Sequence, residues 1–277
     1  MPVIALTQGM GSLAQDIAEQ LARELGLTTL QHEVAERVAR KMNVPKSLIS
    51  RLRAGKAGPI ERFTADQDSM AVYTHEEVLK AAAAGNVVLR GWGATLLLRP
   101  VPHVPCIRIM RPFAKRVQWL MAELGTDDVE LAESEIRRSD DSNTSRMHEQ
   151  FGVNWGDPVL FDLVLNTDRL SVDTCVAQIR ALLDRPEFAE TDASRALLHG
   201  MALSARVRAA LKANEETEEV DVTIDSVEGQ VTLRGIVLKA SERDATEAVA
   251  KATPGVAAVD NQLRVMASSR RFTYSKT

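Results

Sequence analysis

The chain has 277 residues, 45% hydrophobic and 26% charged, enough for a sizeable core and for one or two domains. Its net charge of −4, from 34 basic and 38 acidic side chains, argues against a broad nucleic-acid footprint, so no nucleic-acid partner is expected. Two cysteines, Cys106 and Cys175, each inside an apolar segment, exclude a disulfide framework and read as buried thiols.

The first segment, Val3–Leu6, reads as a buried strand. It enters a glycine-bearing turn, Thr7-Gln8-Gly9-Met10-Gly11-Ser12, and then an amphipathic helix in which Leu13, Ile17, Leu21 and Leu25 share one face. A helix start presents unpartnered N–H groups and partial positive charge, which welcomes an anion. A phosphate loop of the Gly-x-x-x-x-Gly-Lys-Ser/Thr type also brings a lysine, and here no Lys or Arg precedes Arg23. No basic region precedes the apolar run and no segment is long enough to span a membrane, so a cytoplasmic protein is expected.

Further strands are expected at Val87–Leu89, Cys106–Met110 and Leu163–Leu165, each a brief continuous apolar run typical of a parallel sheet buried on both faces. Helices are expected at 12–25, 31–42, 45–53, 74–84, 112–124, 127–150 and 171–183, with Thr74-x-x-Glu77 as a capping box and Gly85 ending that helix. The alternation predicts a layered α/β domain over residues 1–185, with ligands beyond the carboxyl ends of the strands. That edge holds the 7–12 loop, the 90–94 loop and Arg111.

Residues 186–192 read as a linker. A second unit over 193–266 follows: a helix at 193–213, alternating strands at Val220–Ile224 and Gln230–Gly235 joined through Glu228-Gly229, a helix at 240–252, and a strand at Val259–Val265. The order is αββαβ, an α+β arrangement. The tail 267–277 is small, polar and basic, and is expected to be disordered.

Several strings together carry a resemblance. Ile4-Ala5-Leu6-Thr7-Gln8-Gly9-Met10-Gly11-Ser12, Val87-Val88-Leu89-Arg90-Gly91-Trp92-Gly93-Ala94, Arg108–Val117, Gly152-Val153-Asn154-Trp155-Gly156-Asp157-Pro158 and Phe161–Thr167 occur in order. Residues 3–183 thereby resemble the cytidylate-kinase-like family of P-loop nucleoside monophosphate kinases. Residues 197–266 resemble a BON domain through Val222-x-Ile224, Gly229-x-Val231-x-Leu233-x-Gly235 and Pro254-Gly255-Val256-x-x-Val259-x-Asn261-x-Leu263.

The first resemblance implies a P-loop kinase-like parallel sheet flanked by helices, with phosphoryl transfer from ATP or another nucleotide, carrying Mg²⁺, to a pyrimidine monophosphate. That chemistry needs positive charge and in-line placement. It implies phosphate or nucleotide contacts from Gly9, Gly11, Ser12, Gln15, Trp92 and Arg111, and catalytic cations from Arg90 and from the lid-like helix through Arg137, Arg138 and Arg146. Asp140 and Asp141 are the residues offered to Mg²⁺, against a plain reading as a solvated acidic pair. The sequence departs from the family at several of these positions. Gln15 stands for the loop's Lys or Arg, Leu13 and Ala14 replace small or glycine residues, and Trp92 takes the place of the Gly-Arg arginine. Gln31 replaces an acidic residue, and Thr144 replaces a lid arginine.

Other chemistries lack support. The five histidines have no zinc-type spacing, and there is no Gly-x-Ser-x-Gly elbow. Trp119, at helical spacing, reads as core, and Trp92, in a glycine loop, as a residue able to stack on a base. The departures favour a protein that binds or senses a nucleotide and relays this to the BON-like unit. The alternatives are an active CMP-type kinase, or a non-nucleotide scaffold or envelope-associated protein. The BON resemblance implies an unidentified protein, ligand or membrane-lipid partner.

Overall fold

The structure, a computed structural model, describes residues 1–30 and 32–266; Gln31 and the tail from residue 267 lie outside the described residues. The chain divides into two compact units, Met1–Leu198 and a second that begins at His199.

The sheet of the first unit contains β1 (Val3–Gln8), β2 (Thr28–Leu30), β3 (Val87–Arg90), β4 (Cys106–Met110) and β5 (Leu163–Asn166). The strand order is β2-β3-β1-β4-β5, and every neighbouring pair is parallel. β1 is the central strand, with Val3 opposite Val87 on one side and Ala5 opposite Cys106 on the other. Both its faces are covered, which is why Val3 to Leu6 are apolar without alternation. Helix α1 (Ala14–Leu25) lays Ala14, Ile17, Ala18 and Leu21 on the sheet, against Ile4, Leu6, Ile107 and Ile109. The parallel arrangement brings the carboxyl ends of β1, β3 and β4 to one edge, where the chain enters the glycine loop, the Gly91–Gly93 turn and Arg111.

The remaining helices of this unit are α2 (His32–Lys41), α3 (Lys46–Arg53), α4 (Pro59–Thr64), α5 (Gln67–Ala84), α6 (Ala94–Leu97), α7 (Phe113–Leu124), α8 (Val129–Phe151) and α9 (Val172–Leu183). Helix α5 differs from expectation. It starts two turns before Thr74, at an Asp66 cap whose side chain accepts from the Ser69 amide at 2.8 Å. Thr74 is buried in mid-helix, and Glu77 pairs with Arg37 and Lys41 of α2 instead of capping. β2 escapes the sequence reading because it is a three-residue edge strand, half exposed, with no apolar run.

The second unit contains the end of α10 (Asp192–Lys212), then β6 (Thr223–Val227), β7 (Gln230–Val237), α11 (Ala240–Ala252) and β8 (Ala258–Val265). β7 is central, antiparallel to β6 and parallel to β8. The hairpin turns through Glu228 and Gly229, both at positive φ, the geometry that matches strand twist in a two-residue turn. β6 begins three residues later than expected because its ladder to β7 opens only at Thr223 opposite Arg234. Val207, Leu211, Val222, Val231, Leu233, Val237, Ala250 and Leu263 form the core.

Gly200 allows α10 to meet β6 closely, since a Cβ there would lie 2.3 Å from the Ser226 carbonyl oxygen. Alanine in place of a helical glycine ordinarily gains about 1 kcal/mol. At this contact G200A is expected to destabilise the second unit by about 1–3 kcal/mol, in line with overpacking. Calorimetric melting of the full chain measures it, and an unchanged or raised transition would show that α10 can shift from β6 freely.

Candidate functional site

A cleft of about 450 Å³ opens at the carboxyl edge of the first sheet. One wall is the glycine loop. Three successive loop carbonyls are held from outside: Met10 O accepts from Arg116 Nε at 2.8 Å, Gly11 O from Arg111 Nη1 at 3.4 Å, and Ser12 O from Thr167 Oγ1 at 3.0 Å. In a trans peptide the following N–H points opposite to the carbonyl. The amides of Gly11 and Leu13 therefore face away from these donors, as in an anion-binding nest. The loop's left-handed residues, Gly11 at φ 78° and Leu13 at φ 62°, make that turn. Ser12 Oγ and Gln8 Oε1 are buried with no hydrogen-bond partner in the described protein, so the loop retains polar atoms for a ligand.

Side chains of α7 crowd positions 9 and 11, and at Gly11 the left-handed backbone also favours glycine. A Cβ on Gly9 would lie 2.9 Å from a guanidinium nitrogen of Arg116, and one on Gly11 would lie 2.9 Å from Trp119 Cε3. Two side chains of α7 thus rest on the loop.

The opposite wall is cationic. Arg53, Arg90 and Arg146 all line the cleft. Arg53 lies flat over the Trp92 ring, its guanidinium carbon 3.3 Å from the ring centroid. Burial, then the neighbouring charges of Arg146 and Arg90, push Arg53 well below the ordinary guanidinium range. Burial lowers Arg90 and Arg146 as well. Carboxylates oppose the shift at two of the three, Glu19 and Asp16 for Arg90 and Glu149 for Arg146, and each guanidinium stays charged at neutral pH. Arg146 also donates from Nη2 to the main-chain oxygen of Arg53 at 2.6 Å, tying α8 to the end of α3. The Gly91-Trp92-Gly93 turn, left-handed at all three residues, brings Trp92 under Arg53. Behind it, Phe151 packs on Gly93 and stacks with His75, ring centroids 5.7 Å apart. Burial pushes His75 down to about 4.

The residues read from sequence divide sharply. Gly9, Gly11, Ser12, Gln15, Arg90, Trp92 and Arg146 line the cleft, while Arg111 braces the loop from behind. Gln15 accepts from Arg90 Nη2 at 3.4 Å and donates to Glu19 at 2.9 Å. Arg137 is exposed, lies over Phe113 at 4.3 Å and approaches Glu133, and Arg138 pairs with Glu135; neither lines the cleft. Asp140 gives both oxygens to Arg116 at 2.8–3.0 Å, whereas Asp141 is exposed. Among the described residues no cluster of three metal-ligating side chains occurs. Asp140 is thus engaged by Arg116, and the structure brings no third ligating side chain to it among the described residues. Trp119, expected in the core, is half-buried and lines the cleft. Sequence reasoning missed Arg53 and Arg116, whose roles depend on contacts across the fold.

The sheet order and the glycine loop at the end of the central strand define an α/β protein of the P-loop kinase fold class. The profile of the cytidylate kinase-like family matches residues 3–169, and the chain belongs to that family; a BON domain matches residues 202–267. The chain is 29% identical over 180 residues to a cytidylate kinase of Pyrobaculum aerophilum, covering 64% of this chain and 89% of that protein. A cytidylate kinase of Staphylothermus marinus is 30% identical over 112 residues, 40% of this chain and 60% of that protein. In fold, an uncharacterized protein from Eubacterium ventriosum superposes with a TM-score of 0.53 at 19% identity, over 66% of this chain and 99% of that one. No helix of the described residues is long and apolar enough to cross a membrane.

The half-buried His75 is expected to make stability depend on pH. Its value falls from 6.5 in the free side chain to about 4 in the fold, so the unfolded chain binds the proton more readily. The stability present above pH 6.5 is withdrawn as the pH falls toward about 4. H75F is expected to flatten this part of the melting-temperature profile. Parallel slopes for the variant and the wild type would assign the loss to other groups.

Proposed function

We propose that the first unit transfers a phosphoryl group from a nucleoside triphosphate to a pyrimidine nucleoside monophosphate. The observation that carries this reading is that two features suited to anions, the glycine loop and the Arg53–Arg90–Arg146 wall, line one cleft. A nucleotide sensor needs one such site, whereas a bisubstrate reaction needs both. The cytidylate kinases among the relatives support the choice of acceptor.

In this reading the loop amides and Ser12 hold the triphosphate, and the arginine wall holds the acceptor phosphate. An acceptor phosphate oxygen attacks the γ-phosphorus, the bond to the β–γ bridging oxygen breaks, and both products leave as diphosphates. The protein supplies position and positive charge, and little covalent help is needed. Arg90 and Arg146 neutralise the oxygens between the two substrates and allow their approach. Mg²⁺, brought in on the triphosphate, supplies further charge neutralisation, and Asp16, which lines the cleft, is the carboxylate we assign to it. Asp140 is committed to Arg116 and does not suit that role.

Gln15 favours a second reading, nucleotide binding without transfer, relayed to the BON unit, because a neutral amide replaces the family's loop cation. A coupled assay with ATP, Mg²⁺ and CMP, dCMP or UMP separates the two. Turnover is expected, with R53A and R146A lowering kcat/KM about 100- to 1,000-fold, as when preorganised charge is removed elsewhere, while ATP binding persists. ATP binding without turnover would establish the second reading. Neither binding nor turnover would leave a scaffold acting through its BON domain.

A further inference from the structure

All three tryptophans of the chain line the one cleft, in a protein with only 4% aromatic residues. Two already have partners. The Trp92 ring lies under the Arg53 guanidinium, and the Trp155 ring carries Arg108 at 4.3 Å while its indole N–H donates to Thr7 Oγ1 at 3.1 Å. Trp119 differs. It is half-buried, and among the described residues no cation lies over its ring.

Its position is held firmly. One part of the side chain packs with Met10 against Val117, Leu120, Ala132 and Ile136, the small core between α7 and α8. Its Cε3 edge comes so close to Gly11 that only a glycine fits there. Ser139 and Asn143, a turn apart on α8, line the cleft as well. The indole is thus a rigid apolar surface beside the phosphate nest, unlike Trp92, whose stacking partner is a cation of the protein itself.

We propose that Trp119 is the stacking platform for the base of the nucleotide whose phosphates occupy the glycine loop. The proposal rests on the nucleotide reading of the cleft given above. It reassigns base stacking from Trp92, where the glycine turn suggested it, to a residue of α7. Stacking uses the π-face that every base has, and removal of such an aromatic weakens binding about 5- to 150-fold in other systems.

The test compares wild type, W119A and W119F by calorimetric titration with ATP, with GTP and with inorganic triphosphate, each with Mg²⁺. W119A is expected to weaken ATP and GTP about 10- to 100-fold and to leave inorganic triphosphate within about two-fold, since that ligand has no base. W119F retains a ring and is expected to keep most of the affinity. ATP and triphosphate weakened equally, in a variant that still melts as the wild type does, would overturn the proposal by showing that Trp119 only shapes the loop. So would unchanged ATP affinity in W119A. If W119A fails to fold, W119F decides by the ratio of ATP to triphosphate affinity: a ratio near that of the wild type supports the platform, and a collapsed ratio overturns it. Wild-type protein that binds triphosphate but gains nothing from the base overturns the proposal and leaves the phosphate site standing. Wild type that binds neither ligand overturns the nucleotide reading itself.

Discussion

Three guanidinium groups, those of Arg53, Arg90 and Arg146, line the cleft, and the most buried of them, Arg53, feels the charges of the other two. Each of the three is also held by the fold. Arg53 is stacked on Trp92, Arg146 is anchored on the Arg53 carbonyl, and Arg90 stands at the end of a buried strand beside Gln15. Even the strained turn contributes, since Trp92 at φ 61° holds a conformation that costs a non-glycine residue about 1–2 kcal/mol. A strained residue beside buried cations is a combination that clusters at functional sites.

The missing lysine of the glycine loop belongs to the same constraint. A lysine at position 15 would set a fourth cation beside Arg90. Glutamine accepts from Arg90 and donates to Glu19, so it joins the cationic wall to α1 without adding charge. The substitution is therefore coherent with the rest of the cleft, and in the proposed reading the positive charge on the phosphates would come from α3, β3 and α8 instead of from the loop. The guanidinium of Arg116, held by Asp140 and resting on Gly9, adds charge on the loop's outer side.

How much of this was legible in the sequence depended on whether the determining contact was local. β1, β4 and α1 follow from unbroken apolar runs and a four-residue repeat, features that need no partner to be recognised. The start of α5 did not, because Glu77 serves α2 and so imitates a capping box three residues after Thr74. Arg53 resembles any solvated arginine near the end of a short helix until the Gly91–Gly93 turn, some forty residues away, sets Trp92 beneath it. On α8 the residues that line the cleft, Ser139, Asn143, Arg146 and Met147, follow a spacing of three and four on one helical stripe. Arg137 and Arg138 fall on other stripes. Attention to the phase of the helix would have separated Arg146 from the other two lid arginines; attention to their charge could not.

The glycine loop shows why a motif alone underdetermines function. Gly9 and Gly11 have a sufficient structural explanation, because Arg116 and Trp119 occupy the space that side chains would need. A loop that merely accommodated α7 would show the same two glycines. The carbonyls add a feature that packing does not require. Arg116, Arg111 and Thr167, from three different segments, draw three consecutive oxygens outward, and trans peptide geometry turns amides the other way. Packing against α7 requires small residues but not that alignment, whereas binding an anion requires it. The packing side chains then acquire a second consequence: the indole that excludes a side chain from Gly11 is also an aromatic surface lining the cleft beside the loop.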